Sequence, residues 1–145
     1  MTFLSILQRS VLYAFGIAFL FAQSAEGADK AFFVGNWYGV GEPDDPSISY
    51  IDSYAADGTF HSEFRKCERG EVVWHQTETG KWSLANGVLR MISDTIDGKP
   101  DRFENSYTVE VASGDEFRAR LYMPSFLFIE RRLPKFEFPP CYVGA

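Results

Sequence analysis

Histidine, cysteine and positive charge are all scarce in this chain of 145 residues. It has 2 histidines and 2 cysteines, and 14 lysines and arginines stand against 20 aspartates and glutamates, for a net charge of −6. Proteins that bind nucleic acid or anionic membranes depend on clustered lysine and arginine, so this balance argues against both partners. The length suits one domain and is too short for two joined by a linker.

The two histidines, His61 and His75, are too few for a three-histidine zinc site and match no metal-binding spacing. The sequence also has no glycine-rich phosphate loop, no G-x-S-x-G segment and no cysteine–histidine arrangement. We therefore predict no metal, no cofactor, no catalytic residues and no enzyme. A hydrolase that uses a pair of carboxylates is the exception that stays open. We interpret His61 as a surface residue, and for His75 a place in a pocket is the alternative.

The one long uncharged apolar run covers residues 11–22, with Arg9 before it and small residues after it. A run of that length is typical of a signal peptide and too short to cross a bilayer of about 30 Å. We interpret residues 1–24 as a signal peptide, cleaved near Ala25 or Ala28. The mature protein is then periplasmic or secreted. The alternative is an uncleaved signal that anchors the chain, which is the only contact with a membrane that we expect.

Cys67 and Cys141 are the two cysteines, and in an oxidising compartment an even number indicates a disulfide. Their bond would close a loop of about 75 residues, which stabilises a fold by roughly 4 kcal/mol. It would also tie back the C-terminal tail, residues 134–145. A redox role is the alternative, but such chemistry uses a C-x-x-C pair or a thiol beside a base, and the sequence has neither.

Tight turns divide the rest of the chain into short segments. Asp57-Gly58, Asn86-Gly87 and Asp97-Gly98 are typical of two-residue type I′ hairpin turns, and residues 113–115 and 68–70 indicate two more turns. Apolar and polar residues alternate between the turns as in half-buried strands, and no window of a dozen residues has helical spacing. The predicted strands cover residues 35–41, 48–56, 59–67, 71–84, 88–96, 102–112, 117–123 and 126–133.

Eight short strands joined by hairpins form an antiparallel meander, and closure into a barrel removes its two open edges. We therefore predict an all-β fold, a single up-and-down barrel over residues 35–133 after a lead-in over residues 25–34. A two-sheet β-sandwich is the alternative. Gly80, inside the fourth strand, predicts a bend or bulge. Trp74 and Trp82 have the same parity there, so a one-residue bulge would send one of them to solvent, and we expect Trp82 to stay buried.

A series of short motifs adds a family resemblance. Gly35-Asn-Trp37 begins the first strand, and Asp57-Gly-Thr-Phe60, Gly80-Lys-Trp-Ser-Leu84 and Asn86-Gly-Val-Leu89 follow in order. This order resembles that of the small bacterial lipocalin-like domains of the calycin superfamily, over about residues 33–133. The T-D-Y signature and the C-terminal helix of classical lipocalins are missing.

The resemblance implies roles for residues at one end of the barrel. In lipocalins the tryptophan of the first strand closes that end, and an arginine from the last strand packs over its ring. Gly35 and Trp37 match the first position, and Arg131 or Arg132 falls where the arginine is expected. These roles are structural, and one scaffold carries many unrelated functions, so the resemblance does not name a ligand.

Binding inside the barrel is the function that these observations favour. Small eight-stranded barrels are either filled by side chains or hold one small ligand. Large aromatic residues are candidates for such a pocket, although they could equally fill the core. The candidates are Tyr50, Tyr54, Phe64, Trp74 and Tyr107.

We therefore predict a monomeric, exported binding protein for a small apolar or aromatic ligand. The alternative is a protein-binding module of the cell envelope, an assembly factor or a hydrolase inhibitor. It would use loops at one end of the barrel, and the acidic loop Glu42–Pro46, which we interpret as solvated, is the candidate. A cavity above roughly 300 Å³ would favour the ligand, and a filled barrel with an exposed apolar rim would favour the protein partner.

Overall fold

The computed structural model describes residues 28–142, and the predicted signal peptide lies outside the described residues. Each strand pairs with the next in antiparallel order and β1 pairs with β8, so the sheet is a closed barrel. This confirms the all-β barrel and excludes the sandwich. The elements are α1 (Lys30–Phe33), β1 (Gly35–Val40), β2 (Ile48–Tyr54), β3 (Thr59–Glu68), β4 (Glu71–Ala85), β5 (Val88–Ile96), β6 (Lys99–Ser113), β7 (Glu116–Tyr122) and β8 (Ser125–Leu133).

Two elements differ from the prediction. The sequence predicts no helix, but the structure has one short helix, α1. Its four residues are too few to show a helical period in the sequence. Asp29 caps it by accepting a hydrogen bond from the backbone N–H of Ala31 at 3.1 Å. Strand β6 begins at Lys99, earlier than predicted, and Pro100 pairs with Thr95 beside the turn, where a proline costs the ladder little. No helix within residues 28–142 is long and apolar enough to span a membrane.

Three hairpins use the conformation that a type I′ turn requires. Arg69-Gly70, Asn86-Gly87 and Asp97-Gly98 have positive φ at both residues. Asp57-Gly58 does not, because only its glycine has positive φ. There the Asp57 side chain accepts a hydrogen bond from the backbone N–H of Thr59 at 2.9 Å, and this Asx-type turn replaces the predicted type I′ turn.

The pairing of β4 with β5 has a bulge beside Gly80, where the sequence predicted a bend or bulge. The unpaired residue of this bulge is Asp94 on β5 and not a residue of β4. Strand β4 therefore keeps its alternation from Trp74 to Trp82, and both tryptophans face the interior. Trp82 is buried as expected. A Cβ at Gly80 would overlap the backbone carbonyl of Ile92, so the glycine allows the close approach of β5.

The up-and-down order gives the barrel two different ends. Helix α1 and the turns after β2, β4 and β6 lie at one, which we call the closed end. The turns after β1, β3, β5 and β7 lie at the other, the open end. The hydrophobic core lies toward the closed end and consists of Phe33, Trp37, Tyr54, Phe60, Trp82, Leu89, Val109, Phe117 and Ala119.

The C-terminal tail crosses the outer face of the barrel as a strap, residues 134–142. Cys141 forms the predicted disulfide with Cys67 at the end of β3, with the two Cα atoms 5.8 Å apart. Arg65 also holds the tail, because its guanidinium lies 4.1 Å from the centre of the Phe138 ring and donates to the carbonyl of Pro139. The predicted disulfide is confirmed, and it fastens the tail to the barrel.

Candidate ligand-binding cavity

Trp37 and Arg132 close one end of the barrel. Trp37 is fully buried and donates from Nε1 to a backbone carbonyl of α1 at 2.7 Å. The Arg132 guanidinium lies 4.1 Å from the centre of the Trp37 ring and donates to the carbonyls of Phe32 and Val34. The arginine therefore joins the last strand to both the tryptophan and the helix.

Gly35 and Arg131 were the other residues expected at this end. A Cβ at Gly35 would lie 2.9 Å from Nη1 of Arg132, so the glycine leaves room for the guanidinium. Arg131 points outward instead, with its side chain 76% exposed and 3.4 Å from the carboxylate of Glu116. Of the two candidate arginines, only Arg132 lies over the tryptophan.

Above this closed end the barrel encloses a cavity of about 350 Å³. Phe128, which sequence reasoning missed, lies 6.1 Å from the Tyr50 ring and 5.4 Å from the Tyr107 ring, between centroids. Trp74, 39% exposed, lies toward the open end. All five aromatic residues proposed from the sequence line the cavity: Tyr50, Tyr54, Phe64, Trp74 and Tyr107.

Acidic side chains also line the cavity, and sequence reasoning did not place them there. No lysine, arginine or histidine is among the described lining residues. Asp52 has the same strand parity as Tyr50, and Glu130 has the same parity as Phe128, so the alternation did carry a signal. The six carboxylates are Glu42, Asp44, Asp45, Asp52, Glu78 and Glu130.

Two of these carboxylates have hydrogen-bond partners within the wall. Asp52 accepts from the hydroxyl of Ser62 and from that of Tyr54, the latter at 3.3 Å. Glu78 accepts from the hydroxyl of Ser93 at 3.1 Å. Burial raises the pKa of Asp52 to about 6 in spite of these bonds, and burial also raises the pKa of Glu78.

Glu130 and Tyr50 differ, because the Oε2 atom of Glu130 and the hydroxyl of Tyr50 are buried with no partner among the described residues. The two residues are 4% and 2% exposed. Gly39 lies between them, paired with Tyr50 on β2 and with Glu130 on β8. Burial, with the charges of Asp52 and Glu42, raises the pKa of Glu130 well above its usual range. Leaving buried polar groups without a hydrogen bond is costly, which sets these two oxygens apart from the other polar atoms of the cavity wall.

The acidic loop Glu42–Pro46 contributes to the mouth of the cavity, so it is not the fully solvated loop that we expected. Glu42 is half-buried, and burial together with the charge of Asp52 raises its pKa to about 7. Asp45 is neutralised by Lys66, whose Nζ lies 3.0 Å from its carboxylate. Hydrogen bonds from Ser47 and Lys66 lower the pKa of Asp45 to about 2.

The two histidines lie on the outer face, on β3 and β4, and neither lines the cavity. They flank Glu63, with Nε2 of His61 at 3.3 Å and Nε2 of His75 at 3.4 Å from its carboxylate. Phe136 of the strap lies over His61, with the ring centres 5.1 Å apart. Within residues 28–142, no three His, Cys, Asp or Glu side chains are placed to hold a metal ion.

Comparison with known proteins adds no relative: no family model matches the chain, and no curated protein matches its sequence. The chemistry of the cavity is therefore the evidence on function. Aromatic walls offer apolar contact, and buried acceptors offer hydrogen bonds to a guest.

Proposed function

We propose that the protein is an exported, lipocalin-like binding protein that holds one small ligand inside the barrel. The observation that carries this proposal is the cavity of about 350 Å³, which falls in the range of roughly 300–1,000 Å³ typical of ligand pockets. A barrel filled by its own side chains would leave no such space. Tyr50, Phe64, Tyr107 and Phe128 would contact the ligand, and Trp74 would lie beside the entrance.

Export and family membership are parts of the same proposal. The apolar run at residues 11–22 supports a signal peptide, and the disulfide supports an oxidising compartment, the periplasm or the cell exterior. The arginine over Trp37 supports a lipocalin-like origin. We infer a monomer that binds its ligand without chemical change.

A protein partner is the second candidate, and one observation favours it. Apolar side chains surround the open end, each more than half exposed, and such rims are typical of protein contacts. We call this group the open-end rim: Val40, Val72, Val73, Tyr122 and Met123. Because the rim borders the cavity mouth, a partner that covered it would also close the cavity.

Intrinsic fluorescence tests the ligand proposal. Trp37 and Trp82 are buried in the closed-end core, whereas Trp74 lines the cavity and is partly exposed, so a ligand in the barrel changes mainly the signal of Trp74. Purified protein is titrated with fatty acids, isoprenoids, aromatic metabolites and amines. We expect a saturable change in the wild type and in the matched control Trp82→Phe, and its loss in Trp74→Phe. No saturable change with any ligand class would favour the protein partner.

A further inference from the structure

The inner surface of the barrel has acidic groups without balancing cations. Lys66 neutralises Asp45 at the mouth, but no basic side chain among the described residues lines the cavity below it. Five other carboxylates line the cavity: Glu42 and Asp44 from the first loop, Asp52 from β2, Glu78 from β4 and Glu130 from β8. Charges interact more strongly in such a partly desolvated space than in water, so an anionic guest would be repelled and a cationic guest attracted.

The unpartnered atoms add a second and independent requirement. The Oε2 atom of Glu130 and the hydroxyl of Tyr50, both buried, lie on either side of Gly39 and lack partners among the described residues. An ammonium group has three N–H donors and no acceptor. It can therefore donate one hydrogen bond to the ionised Glu130 carboxylate and another to the hydroxyl oxygen of Tyr50. The rings of Tyr50 and Phe128 line the same cavity, with their centroids 6.1 Å apart, and aromatic faces stabilise a cation.

We propose that the ligand is a small organic ammonium ion, a primary or secondary amine with an aromatic or apolar body. Its nitrogen donates to Glu130 Oε2 and to the hydroxyl of Tyr50 when these two side chains turn toward the cavity that they line, and its body contacts the aromatic wall. This inference rests on the proposed function, because it assigns a ligand class to the same cavity. A bound metal ion fits the site less well, since no three ligating side chains of residues 28–142 are placed to hold one.

The competing possibility is that Glu130 donates a hydrogen bond to the ligand instead of accepting one. A protonated Glu130 is a donor and would bind a neutral or anionic acceptor. Asp52 and Glu42 face Glu130 closely enough to raise its pKa, and Glu78 lies across the cavity, so an anion there would meet three further acidic groups. We therefore favour an amine ligand, and the experiment also tests a neutral ligand and an anionic ligand.

Three ligands of matched shape separate these possibilities: 2-phenylethylamine, 2-phenylethanol and 3-phenylpropionate, titrated at pH 8 by calorimetry. We expect the amine to bind about tenfold or more tightly than the alcohol, and the propionate to bind most weakly. In Glu130→Gln the amine should lose about tenfold in affinity, while the alcohol should change little. The matched control is Glu104→Gln, which removes the same charge from the outer face, where Glu104 accepts from Arg90 at 2.7 Å. It should leave both affinities unchanged.

Each result has a definite consequence. Equal binding of amine and alcohol by the wild type, or an unchanged amine affinity in Glu130→Gln, would overturn the ammonium inference and leave the cavity as a binding site. Failure of all three ligands, and of the fluorescence panel, would overturn both proposals. If Glu130→Gln did not fold, Tyr50→Phe, which keeps the ring and removes one acceptor, should lower amine affinity more than alcohol affinity. Equal losses for the two ligands would count against the inference.

Discussion

Tyr50 and Glu130 lie on opposite sides of Gly39, on β2 and β8, with their buried oxygens unpartnered among the described residues. Gly39 makes this possible, because a Cβ there would overlap the ring and hydroxyl of Tyr50. The glycine therefore leaves room for the tyrosine ring and its hydroxyl against β1. What results is a wall with acceptors that no described side chain uses.

Gly39→Ala should damage both the fold and the cavity. The φ of Gly39 lies outside the left-handed region, so the effect is steric: the added methyl group pushes the Tyr50 ring inward. We expect the free energy of unfolding to fall by about 1–3 kcal/mol, with weaker ligand binding. Urea unfolding and fluorescence titration measure these effects. Val40→Ala, at the exposed neighbour, should change stability by less than about 0.5 kcal/mol. Equal behaviour of the two variants would contradict this account of Gly39.

Arg132→Met should be much more destabilising than Arg131→Met. The first change removes a cation–π contact with Trp37 and leaves two carbonyls, of Phe32 and Val34, without their donor. We expect a loss of about 2–4 kcal/mol, against less than about 0.5 kcal/mol for the exposed Arg131. Chemical denaturation of the two variants is the measurement. Similar losses in both would show that the closed end does not depend on Arg132.

Loss of the disulfide should release the strap. Cys67 and Cys141 are 74 residues apart in sequence, so their bond restricts a large part of the unfolded chain. Cys141→Ser should lower the free energy of unfolding by about 2–4 kcal/mol, and chemically reduced wild type should behave like the variant. Thiol titration of the native protein checks the premise, because two free thiols per chain would refute the bond.

The empty barrel should lose stability as the pH rises from 5 to 8. Burial raises the pKa of Asp52 from 3.8 to about 6 and that of Glu42 from 4.5 to about 7, and Glu130 shifts in the same direction. The folded state therefore binds more protons than the unfolded state in this range, so stability is greatest below the ordinary pKa values and falls through the raised ones. Glu130→Gln should be more stable than wild type at pH 8 and show a shallower decline. Urea unfolding across the range is the test, and a variant with an undiminished slope would count against a buried acid at this position.

The strands were predictable from sequence because each is long enough to show alternation and most end at a glycine turn. The inner acids were missed although their parity places them inside, because polar residues of an alternating strand are usually assigned to the solvent face, and that rule holds only when the interior is dry. Asp52, between Tyr50 and Tyr54 on the same face, shows how that rule fails in a barrel with a cavity. The bulge residue, Asp94, could not be identified either, because cross-strand register depends on pairing and not on local pattern.

Proton release on ligand binding tests the central claim most directly. A bound ammonium favours the ionised forms of Glu130, Asp52 and Glu42, so protons held by the empty cavity at pH 7 should leave when the ligand enters. Calorimetry of 2-phenylethylamine binding in buffers of different ionisation enthalpy counts these protons. We predict net release by the wild type and a smaller release by Glu130→Gln. Proton uptake, or binding with no proton exchange, would contradict the assignment of the barrel interior as an acidic site for organic cations.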